Sequence, residues 1–199
     1  MYLETARSTA SQVLSFTVAT SSGSATFRIK VSQVECSSIS KAPTDCLQYF
    51  TGTSGTVESL NYPTVMLAEI QYTICTRREE GYCGISWAQT AGTSPDTFDL
   101  DNAEITDGLA FDADASDAYI LIPGSLYNEY GGNVLTEETA STDANMDTTA
   151  GTVEAYGVPN RLTVVSHTAT SATATATGFS LVYRLLPCQY LPRTHITPA

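Results

Sequence analysis

The stretch TGFSLVYRLLP places Phe179, Leu181, Tyr183 and Leu185 at alternate positions. A two-residue period puts these side chains on one face only if the backbone is extended. The same pattern recurs along the chain. Phe16 and Val18, then Phe27, Ile29 and Val31, alternate on either side of Ser-Ser-Gly-Ser, which predicts a hairpin. Tyr72 and Ile74 share one face, Cys83, Ile85 and Trp87 share another, and the intervening EEGY predicts a second hairpin. AYILIPG reads as a short apolar strand stopped by Pro123 and Gly124, and 126–160 reads as loops broken by Gly and Asn. The alternating TATSATATAT extends the strands on both sides of it. No stretch carries a convincing 3.6-residue apolar repeat. Short strands with turn punctuation predict an all-β chain, an antiparallel β-sandwich.

The segment CLQYFTGTSGTVESLNYP holds Gly52, Gly55 and Pro63, so a strand entered from a glycine turn and stopped at Asn-Tyr-Pro suits it better than a helix. The preceding SSISKAPTD has linker composition. The expected organisation is the closing hairpin of an upstream β module over 1–36, a linker over 37–45, a domain over 46–188 and a tail over 189–199. The chain has 199 residues, of which 42% are hydrophobic and 15% charged, enough apolar surface for a core and too little charge for disorder. Its start, MYLETARSTASQ, does not read as a signal peptide, and no apolar run reaches the length of a bilayer span.

A formal net charge of −12 argues against nucleic acid and against an anionic membrane surface, and favours a basic partner or a divalent cation. Cys36, Cys46, Cys75, Cys83 and Cys188 form no C-x-x-C pair, and His167 and His195 are not at zinc-finger spacing from them. Two disulfides and one odd thiol are the simplest reading, which implies an oxidising, extracellular setting. The sequence holds no G-x-S-x-G, H-E-x-x-H or P-loop pattern. The chain reads as non-catalytic.

Taken together, these pieces resemble a CUB domain. The resemblance rests on Cys46 followed by Gly52 and Gly55, on Asn61-Tyr62-Pro63, on Cys75 in QYTIC, on DAYILIPG at 117–124, on EYGG, and on Gly178, Phe179 and Tyr183. The run RIKVSQVEC, AP, CLQYFTG, YTIC, REEGYC, IPG, GFSLVYRLLPC is most similar to an extracellular arthropod group, in which an earlier module runs directly into the CUB domain. The resemblance implies a CUB-like jelly roll, with Cys46 paired to Cys75 and Cys83 to Cys188. It assigns Cys36 to the end of the earlier module. The chain departs from the family pattern where a second CUB disulfide is usual: Ser116 precedes Asp117, and Tyr130 stands where that cysteine would be. This part of the sandwich must then hold by packing or by some other means.

Many CUB domains bind calcium, and the resemblance carries two of the three family positions onto Asp101 and Asp117. The third falls at or beside His167, a poor ligand for a hard cation. Tyr127 and Tyr130, in a loop, are the candidate partner contacts. The expected function is recognition of another secreted or surface macromolecule, a protein in preference to a glycan. It would act through acidic loops 96–117 and 125–133 at one end of the sandwich, with calcium as an optional organiser. The alternative is a matrix or cuticle subunit, a homo-oligomer pairing edge to edge through TSATATATGFS.

Overall fold

In a computed structural model, residues 1–3, 13, 15, 26, 28–91, 97–100, 118–137, 150–157, 159–166 and 176–188 are described. They contain ten strands and no α-helix: β1 Cys46–Phe50, β2 Ser54–Glu58, β3 Gln71–Thr76, β4 Tyr82–Gln89, β5 Phe98–Asp99, β6 Tyr119–Leu121, β7 Glu129–Tyr130, β8 Thr152–Tyr156, β9 Arg161–Val165 and β10 Gly178–Pro187. One sheet has the order β1-β3-β9-β6-β7 and the other β2-β10-β4-β8, with β5 also pairing to β10. All pairs are antiparallel except β1 with β3. The result is a β-sandwich.

The alternation read from the sequence decides which side chains meet between the sheets. Phe179, Leu181, Tyr183 and Leu185 are all buried, as are Ile85 and Trp87 from β4. They join Tyr72, Ile74, Ile120, Leu162 and Val164 of the opposite sheet in one cluster. Aromatic rings thicken this layer, with Trp87 and Tyr183 centroids 6.0 Å apart and Phe98 and Phe179 6.4 Å apart. Tyr130 is only 1% exposed and sits opposite Ile120. At the position where the resemblance expects a cysteine, this sandwich has a buried ring.

Several expectations about pairing need correction. Strands β3 and β4 do not form a hairpin; they lie in different sheets, and the 77–81 connection crosses between layers. Both strands bury apolar side chains, and placing them in opposite layers lets Ile74 and Tyr72 face the same core as Ile85 and Trp87. Strand β8 lies inside 126–160, which had read as loop. Residues 28–35, expected as the second strand of the N-terminal hairpin, form no strand and are exposed. A two-stranded ribbon with nothing to bury against is marginal in water.

The start of β10 is a tight fit. Gly178 has φ 86°, and a Cβ there would overlap the Ser59 side chain. The Ser59 Oγ accepts a buried hydrogen bond from the Phe179 N–H at 3.0 Å. Gly178→Ala therefore meets both backbone strain and a clash with a bonded hydroxyl. It should destabilise the fold by about 2–4 kcal/mol, read as a lower urea midpoint with an unchanged slope. An unchanged midpoint would mean that Ser59 is free to move.

Candidate functional site

One end of the sandwich gathers the connections at 51–53, 77–81, 122–128 and 157–160. Register places them together: Cys75 pairs with Arg161, Leu121 with Thr163, and Gly84 with Tyr156. Both disulfides support this architecture. Cys46–Cys75 ties β1 to β3, and Cys83–Cys188 ties the start of β4 to the residue after β10, across a sequence separation of 105. Cys36 is unbonded and exposed.

The 122–128 turn stands out by its internal bonding. The Ile122 N–H donates to the Asn128 carbonyl at 2.7 Å, and the Gly124 N–H donates to Asn128 Oδ1 at 3.1 Å. Ser125 Oγ–H donates to the Ile122 carbonyl at 2.7 Å, and the same oxygen accepts from the Asn128 N–H at 3.2 Å. Gly124 and Asn128 both have positive φ, which glycine and asparagine tolerate best. The turn is thus locked by its own polar groups. At its crest Leu126 is 65% exposed, while Tyr127 is half-buried against the core.

The turn is also clamped from outside. The Tyr156 N–H donates to the Gly124 carbonyl at 3.0 Å. Glu137, from a segment beside β8, takes the Glu154 N–H at 3.1 Å. Burial pushes the Glu137 carboxyl above its ordinary range, with a smaller upward push from the Glu154 charge. Beside it the Tyr156 hydroxyl donates to Glu154 Oε2 at 2.5 Å. Burial, then that bond and the neighbouring carboxylates, push the Tyr156 hydroxyl up to about 12. The surface therefore combines a rigidly held leucine with two crowded acids. A basic group of a partner would relieve that crowding.

The sequence-predicted site residues do not assemble as expected. Tyr130 is a core residue, not a contact, because β7 turns its ring inward. Tyr127 lies on the turn, but Asp101 and Asp117 fall outside the described residues. Their neighbours Leu100 and Ala118 are buried at the opposite end of the short β6–β7 ladder. There the Leu100 N–H donates to the Gly132 carbonyl at 3.0 Å, and the Ala118 carbonyl faces Gly131. Tyr127 thus lies across the β6–β7 ladder from Leu100 and Ala118, whereas Gly131 and Gly132 of the 125–133 segment sit beside them.

For calcium, the described carboxylates are a poor match. Asp99 Oδ2 already accepts from the Thr177 N–H at 3.0 Å and from its hydroxyl at 3.2 Å. Burial raises the Glu137 carboxyl, and one of its oxygens already accepts the Glu154 N–H. Among the described residues no three Asp, Glu, His or Cys side chains converge as a metal set. Leu126, Glu137, Glu154 and Tyr156 escaped sequence reading because they come together only through the fold. The one local signal was an apolar residue inside the Gly-Ser-Leu-Tyr-Asn turn.

The Animal CUB domain family profile matches residues 43–186. No curated protein matches the sequence. Among solved structures, similarity is found to the CUB1-EGF-CUB2 domain of human MASP-1/3, at 13% identity and a TM-score of 0.41, covering 68% of this chain and 42% of that one. The MASP-1 CUB2 domain bound to Ca2+ is similar at 19% identity and a TM-score of 0.37, covering 70% of this chain and 98% of that one. The rat MASP-1 CUB1-EGF-CUB2 structure gives 14% and 0.36, covering 70% of this chain and 40% of that one. This chain thus spans less than half the length of the two three-domain structures.

Proposed function

This chain belongs to the animal CUB domain family, and on that premise we propose that it is a secreted recognition module that binds another extracellular protein through the 122–128 turn. CUB domains are extracellular protein-interaction modules, and the CUB domain is non-catalytic. The observation that carries the choice of surface is Leu126, 65% exposed on a turn whose backbone is held by Asn128, Ser125 and Tyr156. A pre-ordered apolar contact loses little conformational entropy on binding. The flanking Glu154 and Glu137 favour a partner with a basic group beside an apolar pocket. Calcium, as an optional organiser, would be held through Asp101 and Asp117.

The test is a binding screen against arrayed extracellular protein domains, run with the unaltered chain, Leu126→Asp and Asp117→Ala, with and without calcium. The expected result is a partner whose affinity falls about tenfold to a hundredfold in Leu126→Asp, a loss typical of a central apolar anchor. Asp117→Ala should weaken binding only in calcium. Partners retained in full by both variants would remove this surface from consideration.

Of TSATATATGFS, the segment of the edge-to-edge alternative, residues 170–175 fall outside the described residues. Residues 178–180 of the proposed pairing segment belong to β10, which is flanked by β2, β4 and β5 and offers no free edge there.

A further inference from the structure

We propose that the outer edge of β1 is a second interaction surface, one that takes an extended peptide bearing an aromatic side chain and is occupied here by the chain's own first residues. The proposal is independent of the 122–128 turn. Among the described residues strand β1 ends its sheet, with β3 on one side only. Its ladder to β3 is irregular between Cys46 and Gln48, which leaves Leu47 out of the paired register. The Leu47 carbonyl accepts a hydrogen bond from the Tyr2 N–H at 2.7 Å. The Tyr2 ring meets that of Tyr49 edge to face, with centroids 6.0 Å apart and planes at 83°.

A backbone bond to an edge strand together with a side chain seated on a neighbouring residue is the chemistry of strand addition. The backbone bond is indifferent to sequence. The aromatic pair gives selectivity, because the half-buried Tyr49 ring and its partner meet edge to face, a favoured aromatic geometry. Among the described residues the resident segment is held by one backbone bond and one ring pair, and Tyr2 is itself 39% exposed, so a competing strand can displace it. The same segment of a second copy could also reach β1, so the probe must be a free peptide.

The experiment uses fluorescein-labelled Met-Tyr-Leu-Glu-Thr-Ala, the sequence of residues 1–6, read by fluorescence anisotropy. It is titrated with the full chain, with Tyr2→Ala and with Tyr2→Ala/Tyr49→Ala. Removing the resident ring should expose the edge, so Tyr2→Ala should bind the probe about tenfold more tightly than the unaltered chain. The double variant should lose that gain, and a probe with its tyrosine changed to alanine should bind none of the three tightly. Leu126→Asp in the Tyr2→Ala background should leave probe affinity unchanged. Equal affinity of the unaltered chain and Tyr2→Ala, no binding by Tyr2→Ala, or loss of binding on Leu126→Asp would each overturn the proposal.

Discussion

The Cys83→Ala/Cys188→Ala double variant is expected to lose about 4.7 kcal/mol of stability and to melt about 10–20 °C lower than the unaltered chain. The bond spans 105 residues and fixes the start of β4 against the end of β10, the two most extensively paired strands of their sheet. Without it the unfolded chain gains the freedom of a loop of that length, while the native contacts of Leu185 and Ile85 stay in place. By the same relation, removing the Cys46–Cys75 bond, with a separation of 29, costs about 3.5 kcal/mol. Both cysteines of a pair are replaced together because Cys36 is an exposed thiol that would exchange with a newly freed partner. Scanning calorimetry under non-reducing conditions measures the difference. Equal losses for the two pairs, or a loss under 1 kcal/mol for the longer one, would show that the unfolded chain is already compact around these sites.

Trp87→Ala is expected to cost about 3–5 kcal/mol, and Trp87→Phe far less, about 1–2 kcal/mol. Trp87 is fully buried on β4 beside Tyr183, in the middle of the layer between the sheets. Its indole Nε1 has no hydrogen-bond partner there. Alanine removes both rings and leaves a cavity that the surrounding strands cannot close. Phenylalanine keeps most of the packing and removes a buried donor whose desolvation nothing offsets, so part of its volume loss is returned. Chemical denaturation of the two variants side by side decides the point. If phenylalanine is as damaging as alanine, the indole N–H contributes to stability and the packing account fails.

The features legible in the sequence are those set by neighbouring residues. Alternation assigned Phe179, Leu181, Tyr183 and Leu185 to one face, and all four are buried. Pro123 and Gly124 stop β6 at Leu121, where a proline cannot donate and a glycine can take φ 87°. The disulfide pairing came from family likeness, and the bonds Cys46–Cys75 and Cys83–Cys188 are present in the fold. The candidate surface was less legible. Tyr127 was found because loop tyrosines are good contacts, but Tyr130, three residues on, looked the same and is in the core. Nothing local distinguishes them; the difference is which side of the β6–β7 ladder each occupies.

Strand partners were not legible for a related reason. Every strand presents the same row of N–H and C=O groups, so pairing is decided by which arrangement buries all apolar faces at once. A polar turn such as EEGY suits a hairpin and a crossover between layers equally well. The sandwich took the crossover because Tyr72 and Ile74 then cover Ile85 and Trp87 across the core. The sequence alone therefore determined that the chain is all-β, which face of β10 and of β4 is buried and that it is stapled by cysteines, since these follow from side-chain period and residue chemistry. Only the tertiary structure decided that Tyr156 holds the Gly124 carbonyl, that Glu137 takes the Glu154 N–H and that Tyr2 lies on the edge of β1. Those contacts join residues far apart in the chain, and the free energy that selects them belongs to the closed sandwich as a whole.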